Sequence, residues 1–286
     1  MVSKNKNYAI KLLIVISVLV LIYVNYVNID NFQSRTIGKI NEYNKKNNNY
    51  ICFLCVNLTE ELVKTSKNML QYDYKVFIMV DNNKVKLPNN VGRINILQMD
   101  DNKCIELGYK NASATLKKNP VTWDKVFYYF SNVDTGFKNI WFIEEDVFIP
   151  RFNILRELDN KYENEDLLCK QDIAEATDNL TWHWGRARGN IPKPWFRSLL
   201  CCHRQSNRLL QRIKGHVDKT GSLLFLEFMV NTLAHNNNYK VKAIPNLKTI
   251  TWKTKYKVDE INMDNLYHPF KDLKVQEEYR EKLNKV

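Results

Sequence analysis

Two short apolar runs open the folded part of the chain, and a segment with helical spacing separates them. The runs are YICFLCV at residues 50–56 and KVFIMVD at 75–81, and the segment between them is TEELVKTSKNMLQY. Continuous apolar runs rich in β-branched and aromatic residues are typical of strands buried on both faces of a parallel sheet. A third strand, RINILQMD, is predicted at residues 93–100. The pattern thus begins as strand, helix, strand.

The next segment continues this alternation. Residues 122–133, TWDKVFYYFSNV, carry apolar side chains at Val126, Phe127 and Phe130, and they lead into a strand predicted over 140–148. Alternating strands and helices joined by right-handed crossovers form a sheet flanked by helices. We therefore predict an α/β fold of Rossmann-like type, with a mixed, mostly parallel sheet in one domain.

Beyond Pro150 the alternation becomes weaker. Residues 160–200 are irregular and rich in aromatics. Residues 196–217 and 222–237 have the spacing of amphipathic helices, and the first of these is predicted to end near Gly215.

An apolar segment near the amino terminus runs from Ala9 to Val27. Roughly 19 apolar residues are close to the length that crosses a bilayer. Lysines precede the segment and no small-residue cleavage pattern follows it, which favours an uncleaved signal anchor over a cleaved signal peptide. Residues 1–29 are therefore predicted to form a short cytoplasmic tail and a single transmembrane helix of a type II membrane protein.

The remaining chain is predicted to lie in the lumen. Residues 30–48 are polar and poor in aromatics, as expected of a flexible stem, and residues 49–286 form the predicted lumenal domain. Three glycosylation sequons, at Asn57, Asn111 and Asn179, are compatible with that compartment.

Charge and cysteine content exclude few classes of function. The formal net charge of +12 would suit nucleic acid, an anionic membrane surface or a phosphate-bearing substrate, but a solvated surface is the simpler interpretation. No recognisable nucleic-acid-binding module is present, so we expect no nucleic-acid partner. The pair Cys52 and Cys55 lacks a second CxxC or a His pair at zinc-site spacing. The pairing of the six cysteines stays open.

Three consecutive acids end the strand predicted over 140–148. In IWFIEEDVFIP, alternation places Glu144 and Asp146 on one face and Glu145 on the other. Ligands bind at the carboxyl ends of the strands in open α/β sheets, and carboxylates with substrate phosphates suit Mg²⁺ or Mn²⁺. The alternative is a structural cluster neutralised by a nearby cation such as Arg151.

The stretch WFIEEDVFIPRFNIL resembles the metal-binding strand of GT-A-fold glycosyltransferases. It is similar to the Glu-Asp-Asp version of their DxD motif in N-acetylglucosaminyltransferase I-like enzymes, with Glu145 at the middle position. Anchor, polar stem and lumenal α/β domain are also the usual layout of Golgi-type transferases. The resemblance implies a manganese- or magnesium-dependent glycosyltransferase that moves a sugar from a nucleotide-sugar donor to a glycan or glycoprotein acceptor.

The same resemblance assigns roles to single residues. Asp146 would coordinate the metal, and Glu144 and Glu145 would hold the ribose and sugar of the donor or a metal-bound water. Asp81 matches an acid that contacts the nucleotide, although a turn or capping Asp is the alternative. His268, in LYHPFK, matches a carboxyl-terminal His that completes the metal site, and a surface His is the alternative.

Two further groups are candidates for the acceptor side. Glu227 lies among apolar residues, LLFLEFMV, where desolvation would raise its pKa toward that of a useful general base. A helix-face Glu paired with a neighbouring Lys is the alternative, and Asp172 and Asp178 rank behind Glu227. The aromatic cluster Trp182, His183 and Trp184 suits a sugar-stacking wall, while core packing is the alternative for the tryptophans.

Three functions remain for comparison. A membrane-anchored glycosyltransferase is the first, and an inactive GT-A-like protein that binds carbohydrate or has a structural role is the second. A metal-dependent nuclease or phosphoesterase would need further acid or His clusters for two metals, and none is convincing. The donor sugar, the acceptor, retention or inversion, and the compartment (Golgi, endoplasmic reticulum or viral assembly membrane) stay open.

Overall fold

The computed structural model describes residues 49–88, 91–113, 119–179, 182–187 and 191–284. All of them belong to one compact unit within residues 47–286. The predicted anchor (1–29) and stem (30–48) lie outside these described residues. Among the helices that are described, none combines the length and the apolar character needed to cross a bilayer.

A seven-stranded sheet forms the centre of the described structure, with the strand order β3-β2-β1-β4-β8-β5-β9. Strand β8 is antiparallel to both of its neighbours, and the other adjacent pairs are parallel. A separate small sheet pairs β6 with β7. The strands are β1 (Asn49–Cys55), β2 (Lys75–Val80), β3 (Asn95–Leu97), β4 (Asn139–Glu144), β5 (Leu167–Cys169), β6 (Ile173–Ala174), β7 (Phe196–Arg197), β8 (Cys202–Ser206) and β9 (Val241–Ala243).

Several of the described α-helices begin at a capping side chain. Thr59 caps the first of them by accepting a hydrogen bond from the Leu62 backbone N–H at 3.2 Å, and Ser206 and Asp272 cap two later ones in the same way. The helices are α1 (Glu60–Met69), α2 (Asp101–Glu106), α3 (Thr122–Asn132), α4 (Ile154–Lys161), α5 (Asn207–Thr220), α6 (Leu226–Asn236) and α7 (Leu273–Leu283). Short 3₁₀ turns lie at Leu70–Tyr72, Glu175–Thr177, His183–Ala187, Pro245–Leu247 and Val258–Glu260.

Helices cover both faces of the sheet, and alternate strand residues define the two cores. Phe77 and Phe142 point to the layer that contains α3, α5 and α6. Ile78 follows Phe77 in β2 and Trp141 precedes Phe142 in β4, and both point to the opposite layer, which contains α1 and α4. Both faces of these central strands are therefore apolar, which explains their continuous apolar runs. The predicted mixed, mostly parallel, Rossmann-like α/β sheet is confirmed.

The helix predicted over residues 196–217 is wrong in its first half. Residues 202–206 form β8 between β4 and β5, and the helix begins only at Asn207. The polar side chains of β8 are buried, and Arg204 pairs with Asp159 of α4 at 2.9 Å. This distant partner permits a strand of polar composition inside the sheet. The predicted stop near Gly215 is also wrong, because α5 continues to Thr220.

Candidate functional site

The acids of the triplet separate where β4 ends. Glu144 is the last residue of β4, and the next two residues form a turn at the carboxyl edge of the sheet. The Glu145 N–H donates to Leu54 O at 2.9 Å, and its Oε1 accepts a hydrogen bond from the Val56 N–H at 3.2 Å. Glu145 is thus tied to the end of β1, away from Glu144 and Asp146.

Glu144 and Asp146 both face His268. The His268 Nε2 lies 3.2 Å from Asp146 Oδ1 and 3.6 Å from Glu144 Oε2. Its Nδ1 lies 2.6 Å from Thr251 O. Because a carbonyl oxygen only accepts, Nδ1 carries a proton and Nε2 is the ring atom turned toward the two acids. The Phe270 N–H, which donates to Asp146 O at 2.7 Å, holds the two segments together.

The electrostatics of this group reflect crowded, half-buried acids. Burial raises the pKa of Glu144, Asp146 raises it further, and a hydrogen bond from Trp123 opposes both. Burial also raises the pKa of Glu145. Burial alone would lower the pKa of His268, but its contacts with Asp146, the Thr251 carbonyl and the charge of Glu144 together outweigh burial and raise it. One imidazole contacts two carboxylates here, so additional positive charge at this position would be favourable.

The donor atoms fit a divalent cation. Ligand atoms of Glu144, Cys201 and His268 lie within 4.8 Å of one another, and Asp146 Oδ1 is beside the same imidazole nitrogen. Carboxylate oxygens with an imidazole suit Mn²⁺ and other divalent cations, and the hydrogen bond of His268 to a backbone carbonyl is the usual support of a metal-binding His.

Arg151 does not neutralise the triplet. Its guanidinium contacts Glu157 Oε1 at 2.6 Å and Asp264 Oδ1 at 2.5 Å. The structural alternative that assigned Arg151 to the three acids is therefore wrong.

Two clefts meet at these acids. The first cleft, of about 350 Å³, extends along the end of β1 past Glu145, and the second, of about 440 Å³, extends to Glu227 in α6. The residues that line both are Val121, Trp123, Glu144, Asp146 and Lys271. A ligand that spans both clefts would pass over the acids and along Lys271, which lines both.

Glu227 lies in the first turn of α6 and is 5% exposed. Burial, followed by the charge of Glu144, raises its pKa to about 8, against the opposing effect of Arg197 and Lys170. Among the described residues it forms no ion pair, and Arg197 instead contacts Asp178 at 2.6 Å. The alternative interpretation, a helix-face Glu paired with a neighbouring Lys, is therefore wrong, because no such pair is present among the described residues.

The lower-ranked acids are engaged elsewhere. Asp178 holds Arg197, and Asp172 accepts from the Asn231 amide at 3.0 Å and lies 2.7 Å from His235 Nε2. Neither is among the residues that line the two clefts. Glu227 is thus the better placed of the three candidate bases.

Asp81 follows β2 and has a different environment from the one expected. Lys125 Nζ lies 3.0 Å from its Oδ1 and 2.6 Å from its backbone carbonyl, and the same ammonium contacts Asp101 at 2.9 Å. Asp81 is not among the residues that line either cleft. Its predicted contact with a nucleotide would require a ligand that reaches beyond the first cleft.

The aromatic cluster adjoins the second cleft through Phe225. Trp182 stacks on Phe225 with ring centroids 5.4 Å apart, and His183 meets the same ring edge-on at 5.7 Å. Trp184 meets Phe228 edge-on at 6.4 Å and packs against the core on the α3, α5 and α6 side of the sheet. Phe225 is the aromatic ring of this group that lines the cleft, so the cluster supports the wall from behind.

Several residues of the site, Phe225 among them, were not predicted from the sequence. Trp123, Cys201, Trp252 and Lys271 all line the second cleft. Trp252 is 62% exposed, although exposed tryptophans are uncommon. Its position in TWKTKYK, a tryptophan among lysines, is a local pattern that indicates an exposed aromatic ring. The others carry no signal that distinguishes them from core or surface residues.

Comparison with known proteins adds little to this geometry. No family model matches the chain, and no curated protein matches it. Among solved structures, 4-diphosphocytidyl-2C-methyl-D-erythritol synthase from Anaerococcus prevotii aligns over 82% of this chain and 96% of its own, with 7% sequence identity and a TM-score of 0.38. A likeness at that level carries no inference about activity.

Proposed function

We propose that the protein is a metal-dependent glycosyltransferase of the GT-A type, anchored in the membrane by residues 1–29, with its catalytic domain in a Golgi-like, endoplasmic-reticulum-like or viral assembly lumen. It would transfer a sugar from a nucleotide-diphosphate donor to a glycan or glycoprotein. The observation that carries the proposal is the junction of two clefts, where Glu144, Asp146 and His268 converge opposite the buried Glu227.

The first cleft suits the donor. Asp146 and His268 would hold a divalent cation, which would supply the positive charge that a diphosphate needs beside three carboxylates. Lys271, which lines both clefts, adds a second positive charge for the phosphates. The Glu145 carboxylate, held by the Val56 N–H, lies at the β1 end of this cleft, where a ribose hydroxyl could donate to it.

The second cleft suits the acceptor. Glu227 would accept the proton of the attacking hydroxyl, a role for which its raised pKa is suitable. Phe225 and Trp252 line the same cleft and offer apolar faces to a sugar ring. Trp182, His183 and Trp184 would fix the orientation of Phe225 and the wall behind it.

Donor binding and turnover with the full-length protein test the proposal. A panel of UDP- and GDP-sugars is titrated with Mn²⁺ and again with EDTA, and hydrolysis or transfer is followed for each. We expect at least one donor to bind much more tightly with Mn²⁺, and Asp146→Asn to remove that difference. Binding without turnover for any donor or acceptor would favour the inactive carbohydrate-binding protein instead. Equal binding with Mn²⁺ and EDTA would contradict the proposal.

A further inference from the structure

Cys201 adds a sulfur ligand to the acids and histidine at the junction of the clefts. It lies just before β8, and its carbonyl accepts a hydrogen bond from the Glu144 N–H at 2.9 Å, so the backbone itself holds Cys201 beside Glu144. It is 5% exposed and lines the second cleft. A thiol in this position faces a cavity and two other potential metal ligands.

The two neighbouring ligands are already oriented. Trp123 Nε1 donates to Glu144 Oε1 at 2.7 Å, which leaves Oε2 turned toward His268. The His268 Nδ1 bonds to Thr251 O, which leaves Nε2 turned inward. Outer hydrogen bonds of this kind fix the ring and carboxylate orientations in metal sites.

We propose that Cys201, Glu144 and His268 form a binding site for a thiophilic divalent cation, with Zn²⁺ as the expected ion. One sulfur, one imidazole nitrogen and one carboxylate oxygen lie within 4.8 Å of one another. Zn²⁺ takes this set of ligands in tetrahedral sites, and three protein ligands leave the fourth position open to the cleft. Binding forms a Zn–S bond while the thiol proton passes to solvent.

The composition of the site separates this cation from the one proposed for the donor phosphates. Mn²⁺ and Mg²⁺ favour oxygen ligands, whereas a thiolate favours Zn²⁺, Cd²⁺ or Co²⁺. The two kinds of ion would share His268 as a ligand, so that Zn²⁺ would displace Mn²⁺. The zinc site itself does not depend on glycosyl transfer, since it requires no nucleotide and no acceptor.

The other cysteines allow a comparison with Cys201. All six cysteines are buried, and none forms a disulfide bond. Across the residues that the structure describes, Glu144, Cys201 and His268 are the one set of three or more His, Cys, Asp or Glu side chains close enough to hold a metal ion. Cys202 is adjacent in sequence and buried, yet outside this set, so it is a matched control for Cys201.

Cobalt binding to the full-length protein tests the site without any nucleotide. Co²⁺ is titrated into reduced, metal-free protein, and the thiolate-to-cobalt charge-transfer absorption is recorded. We expect this absorption in the wild type and in Cys202→Ser, its loss in Cys201→Ser, and its removal by stoichiometric Zn²⁺. His268→Ala should weaken Co²⁺ binding by at least about tenfold, since even an outer-shell loss costs about 10–100-fold.

Several results would overturn the site. A wild type with no thiolate absorption, or an absorption that survives Cys201→Ser, would show that Cys201 does not bind the metal. Circular dichroism checks that each variant is folded, and if Cys201→Ser does not fold, an unchanged affinity in His268→Ala would be equally decisive against the site. Because no donor sugar is present, failure here is distinct from failure of the proposed transferase activity.

Discussion

Two groups of carboxylates in this protein have opposite electrostatic surroundings. Asp159 of α4 is buried with its charge fully met: the Arg204 guanidinium lies 2.9 Å away, Trp141 Nε1 donates at 3.0 Å, and the Tyr74 hydroxyl donates to the other oxygen. Every one of these partners is buried as well. This group, the Asp159–Arg204 cluster, is closed to ligands.

The group at the carboxyl edge of the sheet has more carboxylates and fewer positively charged partners than the Asp159–Arg204 cluster. Glu144 and Asp146 share one imidazole, and Glu227 has no ion-pair partner among the described residues. Both clefts open onto this group. Because uncompensated buried charge is costly, acids that fold without a full set of protein partners indicate a place for a ligand. The contrast separates carboxylates that stabilise the fold from carboxylates that are available for binding.

The largest effect is expected on turnover. Glu227→Gln keeps the shape of the side chain but removes its ability to take a proton, so turnover should fall by roughly 10²–10⁴-fold, the usual loss for a general base. Steady-state assays with the donor found in the screen measure this effect, and donor binding should stay near that of the wild type. Glu163→Gln is the matched control, since Glu163 pairs with Lys138 at the surface. Unchanged turnover would exclude Glu227 as the base.

The next effect is on stability, at the closed group. Asp159→Asn leaves the Arg204 guanidinium buried without its counter-charge, and the free energy of unfolding should fall by about 3–5 kcal/mol. Denaturant unfolding of the purified protein measures this loss. In the control, Asp218→Asn removes an exposed pair with Lys214 and should change stability by less than about 1 kcal/mol. Similar losses in the two variants would show that the Asp159–Arg204 cluster contributes little.

A pH dependence should follow from Glu227 in metal-free protein. Its pKa is raised from 4.5 to about 8 in the folded state, so the folded chain keeps a proton that the unfolded chain releases as pH rises. The contribution of Glu227 to stability is therefore greatest below pH 4.5 and falls between 4.5 and about 8, by an amount on the order of a few kcal/mol. Glu227→Gln should be less sensitive to pH across this window. Parallel curves for the wild type and the variant would contradict the raised pKa.

The smallest effect is expected at the open group. Asp146→Asn loses an attraction to His268 but relieves repulsion with Glu144, so the free energy of unfolding in EDTA should change by no more than about 1 kcal/mol. Thermal unfolding beside Asp159→Asn provides the measurement. A loss at Asp146 as large as that at Asp159 would make the edge acids structural, and the distinction between the two groups would disappear.

Local pattern was sufficient for the centre of the sheet. The continuous apolar runs of β1, β2 and β4 predicted strands buried on both faces, because both layers of helices contact them. Glu145 also points away from Glu144 and Asp146, as predicted, although the reason is not strand alternation: β4 ends at Glu144, and the turn that follows directs Glu145 toward the end of β1. The resemblance of the triplet to a metal-binding strand pointed to the edge where the two clefts meet.

Only the tertiary structure decided which distant groups join these acids. His268 lies more than 100 residues from Glu144 along the chain, and Cys201 reaches the site because β8 inserts antiparallel beside β4. The insertion of β8 is also why the helix predicted over residues 196–217 was wrong in its first half. The polar residues of β8 resemble the solvent face of a helix, and Arg204 is tolerated in the interior because Asp159, on a separate helix, neutralises it. Sequence determined which segments are apolar, but the pairing of buried charges depends on contacts between segments that no local pattern records.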